Sequence, residues 1–350
     1  MANPRGLSIN GMVGDEMSRM GTPIMRLAHP LAFSAFLQSI GAPVERYFQR
    51  QGLPALCRDP NAFVPVKKAW AMFEDAARRE DRMIGWHVGR FVGDHMLSAG
   101  LLNKLDGEPT LLMALRKFVR IANAEASHLQ LGILERSGDI LFYTRYGQLS
   151  SEPGHFISQA YQLEVYIDLI RHYTGADWQP REIGIMDSIY PKLLEERFPK
   201  CLIRINQPFG FVRIPRGCLH RKIGSPHDES QAEIRLIDAS KLNHAELLTL
   251  LLEPYLEDGY LNMEFAASLM DSSTRTLARR LTGCGTSYQA VVDKLRFSRA
   301  KLLLMNPDRS VGNIARSLGF SSQANFTRMF RRIAGLSPRQ FRRIEYRALH

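Results

Sequence analysis

Cysteine is scarce in this sequence of 350 residues. The four cysteines (Cys57, Cys201, Cys218 and Cys284) are far apart, and none belongs to a CxxC motif or to a Cys/His pair with the spacing of a metal site. We therefore expect reduced, buried thiols rather than a disulfide framework. The sequence indicates neither a metal site nor a bound cofactor.

Long apolar segments are also missing. No apolar run approaches the ~18 residues that span a bilayer. Residues 1–25 contain Gly, Pro and mixed charge instead of the continuous apolar segment of a signal peptide. The sequence therefore predicts a cytoplasmic protein with no membrane partner, and a flexible N-terminus over residues 1–25.

Motifs of catalytic sites are absent as well. The ten histidines include no HExxH or HxH pair, and no GxSxG, P-loop or GxGxxG sequence lies between a strand and a helix. A DNA-repair enzyme with an appended regulator domain would need a nucleophilic cysteine in a dedicated motif, which these cysteines do not provide. We predict that the protein is not an enzyme and has no catalytic or metal-ligating residues.

Acidic residues are rare near the C-terminus, where basic residues are common. Residues Tyr260–His350 contain 16 Lys/Arg and 5 Asp/Glu, so the whole net charge of +11 lies in this last quarter of the chain. A basic block beside a neutral body is typical of a polyanion-binding protein, and nucleic acid is the commonest such partner. A solubilising surface is the alternative interpretation.

Hydrophobic patterning divides the chain into two domains. Residues 26–215 mix helical and strand patterns without the regular alternation of a doubly wound sheet, which predicts an α+β sensor or dimerisation domain. Residues 216–243 are polar and glycine-containing, which is typical of a linker. Residues 244–350 show helical patterns only, which predicts an all-α domain. The clearest elements of the first domain are a helix at Leu111–Ala124, a β-hairpin around Ser137–Asp139, a long helix at His155–Tyr173, and strands near 182–186, 202–206 and 209–214.

The C-terminal domain contains an internal repeat with an offset of 49 residues. Phe265–Leu269 aligns with Ile314–Leu318, and the serine pairs Ser272-Ser273 and Ser321-Ser322 follow in register. In each copy a short helix, a turn and two potential capping serines precede a second helix with apolar residues at i and i+4. This pattern predicts two helix-turn-helix units. The inward-facing apolar pairs are Leu277 with Leu281 and Phe326 with Phe330.

The opposite face of each second helix is predicted to contact DNA. Arginine suits N7 and O6 of guanine, glutamine suits adenine, and Ala and Thr methyl groups suit the thymine methyl. A rigid connecting helix at Tyr288–Met305 would place both faces in successive major grooves, about 34 Å apart. Its predicted apolar contacts are Val291, Val292, Leu295, Leu302 and Leu303. The candidate DNA-binding residues are Thr274, Arg275, Ala278 and Arg279 in the first copy, and Gln323, Ala324, Thr327 and Arg328 in the second. An all-helical interaction domain that happens to be basic is the alternative.

These residues resemble the C-terminal signature of the AraC/XylS family of bacterial transcription regulators. The resemblance covers about 100 residues. The matching positions are Ala266, Leu269, Ser272, Leu277, Arg279, Gly283, Tyr288, Gly319-Phe320-Ser321, Asn325-Phe326, Arg328, Phe330-Arg331, Gly335, Ser337-Pro338 and Phe341-Arg342.

Several positions of this signature have expected local roles. Gly319 can end a helix in the left-handed conformation, and Ser337 before Pro338 can start a final helix. Arg342 and its neighbours on that helix are candidate phosphate contacts, with a solvated basic face as the alternative. Gly312 departs from the usual pattern and is expected to weaken its helix.

The N-terminal part resembles the arabinose-binding-type domain found in a branch of the same family, including the helical opening at Leu31–Gln51. This resemblance implies a domain that senses a small molecule or mediates dimerisation, and its name does not establish arabinose as the ligand. The family's best-known sensors are cupin barrels, whereas this N-terminus has too many helices for that fold. The ligand-binding residues are therefore unknown from sequence.

The sequence as a whole predicts a DNA-binding transcription regulator with an α+β sensor domain and two helix-turn-helix units. The resemblance favours an activator that responds to a small-molecule effector through its N-terminal domain. The alternative is a ligand-independent regulator whose N-terminal domain only dimerises or contacts a protein partner. Double-stranded DNA and RNA polymerase are the expected partners, and a small-molecule effector and a homodimer stay open.

Overall fold

The structure is a computed structural model, and it describes residues 22–95, 105, 108–187, 191–221, 241–259 and 261–349. The chain forms two compact units. Unit 1 comprises residues up to Gln51 and Val66–Ser240, and unit 2 comprises Gly52–Pro65 and Lys241–His350. Most of the predicted flexible N-terminus (1–21) and of the predicted linker (222–240) lies outside the described residues. No helix in the described ranges is long and apolar enough to cross a membrane.

Unit 1 combines helices with short strands, as its mixed hydrophobic pattern predicts. The helix, hairpin and strand predictions between residues 111 and 214 are confirmed to within a few residues. The helices are α1 (Ala28–Ser39), α2 (Val44–Gln51), α3 (Val66–Arg79), α4 (Ile84–His95), α5 (Leu111–Glu125), α6 (His155–Thr174) and α7 (Pro191–Arg197). The strands are β1 (Ile24–Arg26), β3 (Gln130–Arg136), β4 (Asp139–Arg145), β5 (Glu182–Gly184), β6 (Leu202–Arg204) and β7 (Gly210–Ile214), while β2 (Phe63–Pro65) belongs to unit 2.

Five strands of unit 1 form one mixed sheet in the order β3-β4-β7-β5-β6. Strands β3 and β4 form the predicted antiparallel hairpin, in which Arg136 pairs with Asp139. Its two turn residues, Ser137 and Gly138, both have positive φ (53° and 82°), as the type I′ turn of a tight hairpin requires. Strands β5 and β6 are parallel, and α7 lies between them in sequence. Side chains of α5 and α6 pack on this sheet and form the core of unit 1.

Helices α4 and α6 pack closely because glycines of α4 face α6. A Cβ atom at Gly85 would lie 2.4 Å from the carbonyl oxygen of Ile157, and one at Gly89 would lie 2.5 Å from Cβ of Glu164. Since Gly85 and Gly89 are four residues apart, they lie on the same face of α4. This close approach buries most of α6, including the carboxylate of Glu164, which accepts a hydrogen bond of 3.0 Å from Nε of Arg197.

A group of polar and aromatic side chains lies in the interior of unit 1. The ring centroids of His128, Tyr146 and His155 are 5.6, 5.6 and 5.7 Å from that of Trp70. Nδ1 of His128 lies 3.4 Å from the carbonyl oxygen of Ile24, so this nitrogen is the one that carries the hydrogen. Burial lowers the pKa of His128 to about 3. His128 is therefore neutral in the folded protein at physiological pH.

Unit 2 is helical from Lys241 onward over its described residues, as its sequence pattern predicts. Serine or asparagine caps begin most of these helices, because their side-chain oxygens accept backbone N–H groups of the first turn. The helices are α8 (His244–Leu252), α9 (Met263–Leu269), α10 (Thr274–Gly283), α11 (Tyr288–Leu304), α12 (Val311–Ser317), α13 (Gln323–Ala334) and α14 (Pro338–Leu349).

Unit 2 also contains a segment from far upstream in the chain, Gly52–Pro65. The hydroxyl of Tyr255 donates a hydrogen bond of 2.9 Å to the carbonyl oxygen of Gly52. The carboxylate of Asp258 accepts the backbone N–H groups of Ala55 and Leu56 at 3.0 and 3.1 Å. Strand β2, at the end of this segment, packs against α8. The segment is therefore part of the fold of the helical unit.

The prediction for the apolar face of the connecting helix is partly wrong. Val291, Val292 and Leu295 of α11 are buried, as predicted. Leu302, however, is 65% exposed, and Leu303 is only half-buried. Ala300 and Leu304 supply the buried contacts at this end of α11, because the helical period places them on the inward face instead.

Candidate nucleic-acid interface

The first helix-turn-helix unit consists of α9 and α10. Oγ of Ser273 accepts the backbone N–H of Thr276 at 3.1 Å and thereby caps α10. Leu277 and Leu281 are fully buried, so the predicted inward face of α10 is confirmed. The second serine of the Ser-Ser pair thus starts the helix at a fixed position, which determines the face that α10 turns outward.

The second helix-turn-helix unit consists of α12 and α13 and repeats this arrangement. Oγ of Ser322 accepts the backbone N–H of Asn325 at 3.2 Å, and Phe326 and Phe330 are fully buried. Gly319 follows α12 with φ of 74°, which is the left-handed conformation expected of a helix-ending glycine. A small core closes around Phe330, whose ring centroid lies 4.8 Å from that of Phe297 on α11.

The predicted DNA-binding residues lie on the outward faces of these two second helices, which we call the recognition helices. On α10 all four candidates are exposed, and on α13 three are exposed and Thr327 is half-buried. The structure thus brings the eight candidates together as two groups of four within one compact unit. The groups are Thr274, Arg275, Ala278 and Arg279 on α10, and Gln323, Ala324, Thr327 and Arg328 on α13.

The arginines of the two recognition helices differ in how they are held. Arg328 donates through Nη2 to the side-chain oxygen of Asn325, whose amide donates at 3.0 Å to Oγ of Ser321. Among the described residues, Arg275 and Arg279 have no hydrogen-bond or ion-pair partner for their side chains. The guanidinium of Arg328 is thus oriented in advance, whereas those of Arg275 and Arg279 keep all their donors for an external acceptor.

Gly312 has a packing role beside the second recognition helix. A Cβ atom at this position would lie 3.1 Å from Oε1 of Gln323, closer than most such contacts. The glycine is a poor helix former, yet α12 forms as Val311–Ser317 and is capped by Ser310. The space above Gly312 therefore accommodates the Gln323 side chain at the start of α13.

Helix α11 lies between the two helix-turn-helix units in sequence, and it packs against α8 and against α12 and α13 of the second helix-turn-helix unit. Its Asp293 is 5% exposed and forms an ion pair with Nη2 of Arg332 on α13. Gln289 donates to the other carboxylate oxygen of Asp293 at 2.9 Å. One turn further along α11, the guanidinium of Arg296 lies 4.8 Å from the ring centroid of Phe320 in the second turn. Two cationic side chains, Arg332 and Arg296, thus hold the second helix-turn-helix unit against the connecting helix.

Arg342, a predicted phosphate contact, is held by two backbone carbonyl oxygens. Its Nε donates to the carbonyl oxygen of Leu304 at 3.0 Å, and its Nη2 donates to that of Arg309 at 2.6 Å. These carbonyls lie at the end of α11 and in the following loop, where backbone acceptors have no helical partner. Arg342 therefore caps the connecting helix with two of its five N–H donors. Arg343 is exposed and remains a candidate phosphate contact.

The ion pair that holds the second recognition helix, between Asp293 and Arg332, was not predicted from sequence. Asp293 follows Val291 and Val292 on the apolar face of α11, and a carboxylate at such a position signals a buried ion pair. Its partner Arg332 is one of sixteen basic residues in the last quarter of the chain and carries no comparable signal.

Comparison with known proteins assigns both parts of the chain. Residues 266–344 match the family described as a helix-turn-helix domain. Residues 41–223, more than half of the chain, match the arabinose-binding domain of AraC transcription regulators, N-terminal. The chain belongs to the AraC/XylS family of transcription regulators. This family consists of DNA-binding transcription regulators, and both recognition helices lie within the residues that match the helix-turn-helix domain.

Curated relatives in this family match parts of the chain. The regulator VirS of Mycobacterium tuberculosis is 30% identical over 216 residues, which cover 57% of this chain and 61% of VirS. The regulator VqsM of Pseudomonas aeruginosa is 38% identical over 25% of this chain and 27% of its own length. The transcriptional activator RhaS of Escherichia coli is 38% identical over 29% of this chain and 37% of RhaS. The chain thus spans less than two thirds of these relatives.

Two solved structures of other regulators resemble parts of the chain, with TM-scores below 0.5. The regulator CdpR of Pseudomonas aeruginosa is 16% identical with a TM-score of 0.37, covering 85% of this chain and 96% of CdpR. The DNA-binding domain of AdpA, solved in complex with a target DNA, is 28% identical with a TM-score of 0.27, covering 31% of this chain and 97% of that domain.

Proposed function

We propose that this AraC/XylS regulator is a sequence-specific activator that inserts α10 and α13 into successive major grooves. The observation that carries this proposal is the outward exposure of two groups of side chains with base-reading chemistry. Arg275 and Arg279 suit guanine, Gln323 suits adenine, and the Ala and Thr methyl groups suit thymine. Helix α11, which packs against both halves of unit 2, holds the two recognition helices at a fixed spacing.

We further propose that unit 1 responds to a small-molecule effector and thereby changes how the recognition helices meet the operator or RNA polymerase. The match of residues 41–223 to the arabinose-binding domain supports a ligand-binding role for unit 1. The activator name of RhaS supports activation as the outcome. Association of two copies through unit 1 is the route by which we expect the effector to act.

A DNase footprint of the full-length protein on the DNA upstream of its own gene tests the DNA-reading part. We expect protection on one face of the duplex, with two contacts a helical turn apart. The double variant Arg275→Ala, Gln323→Ala should lose the footprint while it keeps its circular dichroism spectrum. Protection that is equal on every DNA sequence would contradict sequence-specific reading.

Transcription from the footprinted promoter, measured with and without candidate metabolites, tests the effector part. We expect at least one metabolite to raise transcript levels and to change operator affinity. Identical affinity and transcription under all conditions would instead support the alternative function, a ligand-independent regulator whose N-terminal unit only dimerises or contacts a protein.

A further inference from the structure

Unit 1 contains a cavity of about 430 Å³ that opens between α5, the β3–β4 hairpin and the segment after β7. This volume lies within the usual range for small-molecule sites. The cavity is separate from the polar group around Trp70, and it shares no residue with the recognition helices. Its position in the effector-sensing half of the chain makes it a candidate for the effector site.

Part of the cavity wall is apolar. Leu112 and Val119 come from α5, where they are seven residues apart and therefore lie on one helix face. Ile133 and Ile140 come from the two strands of the hairpin, and Leu219 closes the cavity from the segment after β7. A ligand that fits these walls must have an apolar body, because hydroxyl groups placed against them would lose their hydrogen bonds to water.

The rim of the cavity carries free hydrogen-bond donors. Arg116 lies between Leu112 and Val119 on the same face of α5, and Arg216 and His220 stand on the segment opposite. All three side chains are exposed, and none has a hydrogen-bond or ion-pair partner among the described residues. Arg116 and Arg216 thus bring two guanidinium groups to one partly apolar cavity, and guanidinium groups suit a carboxylate.

Two carboxylates of the rim limit the charge that the site accepts. Asp139 is already engaged, since it accepts the backbone N–H of Arg216 at 3.4 Å and lies 3.7 Å from Nη1 of Arg213. Glu135 is exposed and has no such partner among the described residues. The two positive charges of Arg116 and Arg216 therefore exceed the one unpaired negative charge, that of Glu135, by one. This excess suits a monoanion better than a phosphorylated or polyanionic ligand.

We propose that this cavity binds a small amphipathic carboxylic acid, with the apolar chain between α5 and the hairpin and the carboxylate between Arg116 and Arg216. This inference rests on the proposed effector response and names the chemical class of the effector. The segment that carries Arg216 and His220 also binds the start of α5, since the backbone N–H of Leu112 donates to the carbonyl oxygen of Leu219 at 3.1 Å. A ligand that bridges Arg116 and Arg216 would hold α5 and this segment together.

Isothermal titration calorimetry of the full-length protein with decanoate and 4-phenylbutyrate tests the site directly. We expect at least one of these acids to bind with a stoichiometry of one per chain, and more tightly than decanol or decylammonium. Arg116→Gln and Arg216→Gln should each weaken binding about tenfold, the loss typical of one charge-assisted hydrogen bond. Arg120→Gln is the matched control, because Arg120 is an exposed arginine of α5 outside the cavity, and it should leave the affinity unchanged.

A second variant, Val119→Trp, fills the cavity without changing its charge and should abolish binding while thermal melting stays cooperative. Three results would overturn the proposal: no binding of either acid, equal affinity for decanoate and decanol, or unchanged affinity in both arginine variants. Light scattering gives a fourth test. A molecular mass that rises with protein concentration, and that no longer rises in Val119→Trp, would also overturn the proposal, because a second copy of the chain would then occupy the cavity.

DNase footprints and transcription measurements on the same proteins distinguish a failure of this inference from a failure of the proposed function. Acid binding without any change in DNA binding or transcription would support the site and contradict the effector response. An effector response to another metabolite, with no acid binding, would contradict the site and leave the proposed function intact.

Discussion

The carboxylate of Asp293 on the connecting helix and the guanidinium of Arg332 on the second recognition helix form an ion pair at the edge of a buried site. Asp293 is 5% exposed, whereas the side chain of Arg332 is 65% exposed. Solvent therefore reaches the cation but not the anion. The carboxylate depends on Arg332 and on the amide of Gln289 for its stabilisation, so the pair ties the orientation of α13 to α11.

The first prediction concerns this ion pair. Asp293→Asn should lower the free energy of unfolding by about 1–3 kcal/mol, because Arg332 then loses its charged partner while solvent screens part of the loss. Chemical denaturation of Asp293→Asn, Arg332→Gln and the double variant measures the coupling between the two residues. Strictly additive effects would show that the pair contributes nothing to stability.

A second prediction separates base reading from phosphate contact at Arg275. Arg275→Ala should weaken operator binding by about 1–3 kcal/mol and relax the preference at one base pair. Arg275→Lys is the matched variant, since it keeps the charge but loses the bidentate geometry that guanine requires. If the lysine variant binds the operator as well as the original protein, Arg275 contacts phosphate only. Affinities for the operator and for single-base variants, at one fixed salt concentration, measure both effects.

The third prediction tests the inward face of the first recognition helix. Leu277→Asp should unfold the first helix-turn-helix unit, because it places a carboxylate in a fully buried position without a partner. Ala278→Asp makes the same change at the next residue, which is exposed, and should leave thermal melting nearly unchanged. Both variants should nevertheless fail to bind DNA. Leu277→Asp loses the folded helix-turn-helix unit, and Ala278→Asp places a carboxylate on the outward face, where it repels phosphate. Equal melting temperatures for the two proteins would contradict the orientation of α10.

The fourth prediction concerns pH and the buried His128. Burial lowers its pKa from 6.5 to about 3, so between these values the unfolded chain binds a proton that the folded chain does not. Stability contributed by the neutral imidazole is complete above the unfolded pKa and is lost as the pH falls towards the folded one. We expect the free energy of unfolding to decrease by about 1 kcal/mol per pH unit below pH ~6 from this residue.

Denaturation curves of the original protein and of His128→Gln, collected over this pH range, isolate the contribution. Glutamine does not titrate, and its amide can still donate to the carbonyl oxygen of Ile24. The difference in stability between the two proteins should shrink as the pH falls. A constant difference at all pH values would show that the pKa of His128 is the same in the folded and the unfolded chain.

The helices of this protein could be predicted from sequence because their signals are local. Leu277 and Leu281 are one helical turn apart, and Ser273 lies just before them, so spacing and cap together fix both the start and the buried face of α10. The hairpin was predictable for the same reason, since Ser137 and Gly138 adopt the turn directly between its strands.

Other features depend on residues that are distant in sequence, and local patterns do not report them. The parallel pairing of β5 with β6 is set by tertiary packing, and Arg342 reaches carbonyl oxygens more than thirty residues away. Leu302 fits the apolar pattern of its helix but lies at its exposed edge, which only the assembled core determines. The candidate DNA-binding side chains were predictable as one face of each recognition helix. The Arg328–Asn325 hydrogen bond and the Arg332–Asp293 ion pair were not.

The segment Gly52–Pro65 has a consequence for how this protein can be divided. The chain enters the DNA-binding unit twice, once for these fourteen residues and again at Lys241. A fragment cut just before Lys241 leaves the Tyr255 hydroxyl and the Asp258 carboxylate without the backbone groups that they bind in the whole chain. An exchange of unit 1 for the corresponding unit of another protein would therefore have to keep Gly52–Pro65 with the DNA-binding unit. The DNA-binding unit is thus one compact unit in the structure, but two separate segments of the gene encode it.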